Sequence, residues 1–130
     1  MRKQYHTRTV NDDQHTWDVH RLVRLAKELP AVWVPISEIV EADQLWWYQD
    51  ANDIPTPRSI AGHMTLVAQT DLQYPIILCE NGRLMDGMHR VVKAVLEEKK
   101  TILAVRFSQT PPPDFVNVDP NQLSYPDEEV

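Results

Sequence analysis

The residues best suited to chemistry are five consecutive ones, Asp86-Gly87-Met88-His89-Arg90. Gly87 falls where a strand hands over to a helix; lacking a Cβ, it reaches backbone torsions closed to other residues and lets an anion approach the main chain. The amides that follow open a helix, whose N-terminus offers unpaired N–H groups and about half a positive charge. His89 and Arg90 add side-chain donors at the same end, so the segment has the layout of a phosphate cradle. Cations at a helix N-terminus oppose its dipole by about 0.3–1 kcal/mol each, a cost that a bound anion would offset. The competing reading is purely structural, with Asp86 as an N-cap, Gly87 as a turn residue, and His89 and Arg90 as solvated side chains. Arg58, in the first turn of a helix opened by Thr56-Pro57, is a second candidate phosphate contact. Trp46-Trp47-Tyr48 offers rings on which a base would stack, against the alternative that adjacent aromatics bury in the core. His15 and His20 give no metal-binding face, and His63 reads as a surface or half-buried residue. The single cysteine, Cys79, builds neither a zinc cage nor an intrachain disulfide, so no structural metal is expected.

Positioning the cradle takes a small set of elements. Residues 1–15 are polar without a hydrophobic period and read as an N-terminal arm. Leu22, Leu25, Ala26 and Leu29 recur at helical spacing, predicting a helix over 17–29 with Thr16 as N-cap and Pro30 as stop. Residues 33–39 alternate as a strand that Pro35 confines to an edge or end, and 40–56 form a loop or short helix. Thr56-Pro57 starts a second helix over 57–70, with Ile60, Met64 and Val67 as its apolar stripe. A buried-type strand at 74–79, the turn Asn81-Gly82 and a return strand at 83–85 make a β-hairpin. Met88, Val91, Val92, Val95 and Leu96 mark a third helix, and 101–107 a last, β-branched strand. Pro111-Pro112-Pro113 ends the pattern, leaving 111–130 as a proline-rich acidic tail over the surface. The expectation is one α+β domain over 16–110, a small mixed β-sheet packed by three helices.

The stretch from Tyr74-Pro75-Ile76-Ile77-Leu78 through Asn81-Gly82 and Asp86-Gly87-Met88-His89-Arg90 to the strand at 102–107 resembles the ParB/sulfiredoxin superfamily. Val34-Pro35-Ile36-Ser37-Glu38-Ile39 looks like that family's first strand, so the resemblance covers residues 32–108. It implies that the cradle Asp86, Gly87, Met88, His89 and Arg90 grips a nucleotide's phosphates, the nucleotide being ATP, ADP or CTP with Mg²⁺. Sulfiredoxins place a catalytic cysteine where this chain has Met88, and a thioether cannot do that chemistry. Partition proteins of the ParB type carry Gly-Glu-Arg-Arg at the turn, where this chain reads Gly87-Met88-His89-Arg90, and add a DNA reader and a dimerisation domain. The nearest motif match is the free-serine kinase branch, with Asp-Gly-His-His-Arg and a catalytic carboxylate before Gln-Leu. Asp43-Gln44-Leu45 falls at that place. The resemblance thus implies Asp43 as general base toward a substrate hydroxyl, with Glu41 or Glu38 as substitutes for it, while His89 neutralises charge on the phosphoryl group.

Composition narrows the function. A chain of 130 residues makes one domain. Of its net charge of −6, five acids lie in residues 111–130, which hold no Lys or Arg, so the other 110 residues carry 13 basic against 14 acidic side chains. No basic face is built for duplex phosphates, and DNA binding is not expected of the isolated domain. No apolar run approaches membrane-spanning length and no secretory signal is visible, so a cytoplasmic protein is expected. The function expected is a nucleotide-phosphate-binding domain acting as a small-molecule phosphotransferase or nucleotide hydrolase. The alternative is a non-catalytic nucleotide-binding module related to chromosome-partitioning proteins.

Overall fold

The computed structural model describes residues 4–49, 51–119 and 122–123. Along them run β1 (Tyr5–Val10), β2 (Asp13–Asp18), α1 (Val19–Ala26), β3 (Val32–Pro35), two 3-10 turns (Ile36–Glu38 and Val40–Asp43), α2 (Pro57–Gln69), β4 (Ile76–Leu78), β5 (Leu84–Asp86), α3 (Met88–Leu96), β6 (Thr101–Arg106) and β7 (Phe115–Val116). The class is α+β, with three helices and two small sheets.

The central sheet has strand order β3-β6-β4-β5, with β4 parallel to β6 and the other pairs antiparallel. Alternation along its strands decides which residue meets which helix. Ile76, Leu78, Ile102 and Ala104 pack with Met88, Val91 and Ala94 of α3 on one face. Ile77, Cys79, Val105 and Phe107 pack with Trp17, Leu22 and Ala26 on the other. The sheet is therefore filled on both sides, which is why β4 is apolar at every position. β5 ends at Asp86, and Gly87, at φ +114°, turns the chain directly into α3.

α2 departs from its sequence pattern. Of the stripe Ile60, Met64 and Val67 only Val67 is buried, and Ile60 and Met64 are 44% and 39% exposed. The helix packs chiefly along α3 instead of on the sheet. Its start is as expected, with the Thr56 hydroxyl accepting from the Ser59 amide at 3.1 Å and Pro57 in the first turn.

The polar N-terminus is not an arm. β1 and β2 form an antiparallel hairpin turned by Asn11 (φ 50°) and Asp12 (φ 71°). Those left-handed angles suit a two-residue hairpin turn, and Asn and Asp tolerate them best after glycine. The hairpin's buried residues are His6, Thr16 and Trp17, two of them polar, so no aliphatic alternation announces it. Thr16 accordingly lies inside β2, and α1 is capped by Asp18, whose carboxylate accepts from the His20 amide at 2.9 Å.

The start of the acidic tail is also tied down. β7 adds to β2 as the third strand of the second sheet. Trp17 Nε1 donates to the Pro111 carbonyl at 2.8 Å and Arg21 to that of Pro112 at 2.9 Å. Asp114 accepts from the Asp18 amide at 2.7 Å and pairs with Arg21 at 3.1 Å. Prolines lack an N–H but keep a carbonyl, and the strap uses those carbonyls. Most of the remainder of the tail lies outside the described residues. Among the described residues no helix is long and apolar enough to cross a membrane.

Candidate functional site

Asp86, Gly87, Met88, His89 and Arg90 lie together in the wall of one cavity of about 560 Å³. The opposite wall comes from β1 and from the segment between the second 3-10 turn and α2, which supply Tyr5, His6, Trp46, Trp47 and Asp53. α3 has Gly87 as N-cap and no side chain capping its first amides, and the expected cap, Asp86, is engaged elsewhere. Amides left without a side-chain cap thus open that end of the cavity, beside His89 and Arg90.

Arg90 does not stand free for a ligand. Its Nη2 donates to Asp86 Oδ2 and to the Pro75 carbonyl, both at 3.3 Å. Nε is buried and has no partner among the described residues. Burial raises the Asp86 carboxyl above its ordinary value, while the Arg90 guanidinium and the Gly87 amide pull it partly back. The pair therefore fixes the turn as well as lining the cavity, and truncating Arg90 would leave Asp86 without its counter-charge.

His89 carries the feature that the sequence concealed. Its Nε2 lies 3.0 Å from Nδ1 of His63, which α2 presents. Trp47 stacks on His63, with centroids 3.9 Å apart and planes 15° apart, and on His89 at 5.0 Å. Tyr48 meets His63 edge-on at 5.7 Å while its hydroxyl shares a hydrogen with Ser59 at 3.0 Å. The Tyr48 amide donates to Asp53 at 3.3 Å, which holds that carboxylate near the pair. Burial lowers both imidazoles from their ordinary value; His63 and Arg90 lower His89 further, and Asp53 offsets part of the effect on His63.

The carboxylates expected to act as base are placed differently. Asp43 is exposed on the second 3-10 turn and Glu38 on the first, and neither lines the cavity of His89. Glu41 is buried and bonded to Arg83, in the wall of an adjoining cavity of about 750 Å³. Among the described residues, Asp53 is the acid that lines both cavities. Arg58 is exposed on α2 and lines neither. The segment after β3 closes into two 3-10 turns, and the fold packed against them takes Glu41 inward and leaves Asp43 at the surface.

Sequence reasoning missed His6, Asp53 and the role of His63. The one available signal was Trp46-Trp47, a large apolar pair inside an otherwise acidic loop. The rings do both things weighed for them, packing against the core cluster while walling the cavity. Among the described residues no three His, Cys, Asp or Glu side chains are grouped to hold a metal ion.

Fold and site together define a small α+β domain whose aromatic-walled cavity takes in the start of α3. The chain shows no match to protein-family models, to curated proteins or to solved structures.

Proposed function

We propose that this is a nucleotide-phosphate-binding domain of the ParB/sulfiredoxin type, with the phosphates held at the start of α3. One observation carries the reading: the five-residue cradle and a wall of aromatic and histidine rings share a single cavity. Strand, left-handed glycine and uncapped helix start follow one another directly there, the arrangement that suits phosphate oxygens. Mg²⁺ would arrive on the phosphates, since it is commonly bound through one or two carboxylates plus phosphate oxygens and keeps several waters. Nothing at Asp43 supports a base for phosphoryl transfer, so binding is the primary activity proposed.

The test is thermal and calorimetric titration with ATP, ADP, CTP and inorganic triphosphate, each with Mg²⁺. A ligand at 100 times its dissociation constant is expected to add about 2.7 kcal/mol of stability. His89→Ala should remove most of that gain. Absence of a shift with every one of the four ligands refutes the reading.

A second reading, phosphoryl transfer or hydrolysis, is favoured by Asp53 lining the same cavity as His89, whose ring is bonded to His63. If turnover is found, Asp53→Asn should lower it by about 10²–10⁴-fold, whereas Asp43→Asn should leave it unchanged. The reverse pattern would return the base to Asp43.

A further inference from the structure

The His63–His89 contact is built from three separate elements. α2 supplies His63, α3 supplies His89, and Trp47 of the segment before α2 stacks on both rings. A 3.0 Å separation between Nδ1 of one ring and Nε2 of the other requires one nitrogen to donate and the other to accept. With two protons too many, both nitrogens become donors and two cations face each other at that distance, which the geometry forbids. The pair therefore holds together with one added proton but not with two. The free nitrogens are then Nδ1 of His89 and Nε2 of His63.

The groups facing the pair are Asp86 and Arg90 beside His89, Asp53 and Tyr48 on the segment that carries Trp47, and His6 of β1 across the cavity. Asp86 is tied to Arg90, and His6 is buried and far too weakly basic to compete for a proton near neutrality. In the free protein burial lowers both imidazoles from their ordinary value. An anion brought to the start of α3 adds negative charge beside His89 and reverses that balance.

We infer that His63 is the positioning residue of the site: its Nδ1 accepts from Nε2–H of a charged His89, so that anion binding at the start of α3 takes up a single proton. This rests on the phosphate reading above, and it makes affinity a function of pH. Between the depressed pKa of the free pair and its raised value in the complex, affinity rises as pH falls. Below the free-state value it levels off, because the pair is already charged.

The experiment is isothermal titration of ATP with Mg²⁺ between pH 5.5 and 8, each point in two buffers of different ionisation enthalpy, for the wild type, His63→Phe and His63→Gln. The nucleotide's own titration is common to all three proteins and cancels in the comparison. Wild-type affinity should rise by up to about tenfold per pH unit across the window, the slope for one proton. His63→Phe keeps a ring against Trp47 but accepts no hydrogen bond, and should bind about tenfold or more weakly at neutral pH. His63→Gln retains an acceptor and should recover most of that loss. Phe equal to wild type, Gln no better than Phe, or no proton uptake beyond that of the nucleotide each overturns the inference while leaving phosphate binding intact. Failure of ATP and inorganic triphosphate to bind at any pH overturns the phosphate reading, and this inference with it.

Discussion

Acidification from neutrality to pH 3 is expected to remove about 4 kcal/mol of folding stability through His6 alone. His6 is 8% exposed and lies between the rings of Trp17 and Trp46, with centroids at 5.7 and 5.4 Å and nearly parallel planes. Burial first, and the charge of Arg8 second, lower its pKa from 6.5 to about 3. The unfolded chain binds a proton on His6 near pH 6.5, and the folded protein does not until about pH 3. The stability it contributes is therefore whole above pH 6.5 and is lost as pH falls through that interval. His6→Phe keeps a ring in the stack and removes the titration. Urea unfolding at pH 7, 5 and 4 should show the wild type losing stability much faster than the variant. His63 and His89 act in the same direction in both proteins, so the difference belongs to His6. Parallel losses in the two proteins would show that the His6 site opens to water before it is protonated.

Gly87→Ala is the second large effect, about 3 kcal/mol of destabilisation. The residue sits at φ +114°, a region that costs an L-residue about 1–2 kcal/mol. A methyl group there would also stand 2.7 Å from Cγ2 of Ile76 and 2.9 Å from Nη2 of Arg90. Ile76 is fully buried and cannot yield, and Arg90 is held by Asp86 and the Pro75 carbonyl. Overpacking of this kind typically costs about 1–3 kcal/mol more. Gly82→Ala, at φ +77° with no atom nearer than 3.8 Å, carries only the backbone cost of about 1–2 kcal/mol. Chemical denaturation of the two variants without ligand gives the comparison, and equal midpoints would remove the special status of Gly87. The sequence already singles out Gly87 over Gly82, but for an anion's access to the backbone. Packing against Ile76 makes the requirement hold without any ligand.

The elements legible in the sequence are those whose burial is aliphatic. The run at β4 and the period of α3 were readable because Ile, Leu and Val on a regular spacing have few other structures open to them, whereas the turn between β4 and β5 centres on Glu80-Asn81 instead of Asn81-Gly82, with the Gly82 amide bonded to the Cys79 carbonyl. Thr56-Pro57 marked the start of α2 equally well, since a hydroxyl cap and a proline at the first position act locally. The hairpin of β1 and β2 was not readable, because its inward residues are His6, Thr16 and Trp17 and its turn, Asn11-Asp12, lacks glycine. The stripe of α2 misled for the opposite reason: its period is apolar, yet the helix lies along α3 and leaves Ile60 and Met64 largely outside.

For the candidate site, the sequence alone determined the turn from β5 through Gly87 into α3, because strand, glycine and helix start are contiguous in the chain and their order is itself the geometry. Which groups face the cradle was decided only by the tertiary structure. His63 lies 26 positions from His89, and β1 brings His6 to the cavity from the far end of the chain. No local spacing encodes such meetings; they follow from how α2, β1 and the Trp46-Trp47 segment close over the sheet. The same closure turns Glu41 inward and leaves Asp43 in water. An acid's place in a motif specifies its backbone neighbourhood, while its direction depends on what the whole fold packs against it.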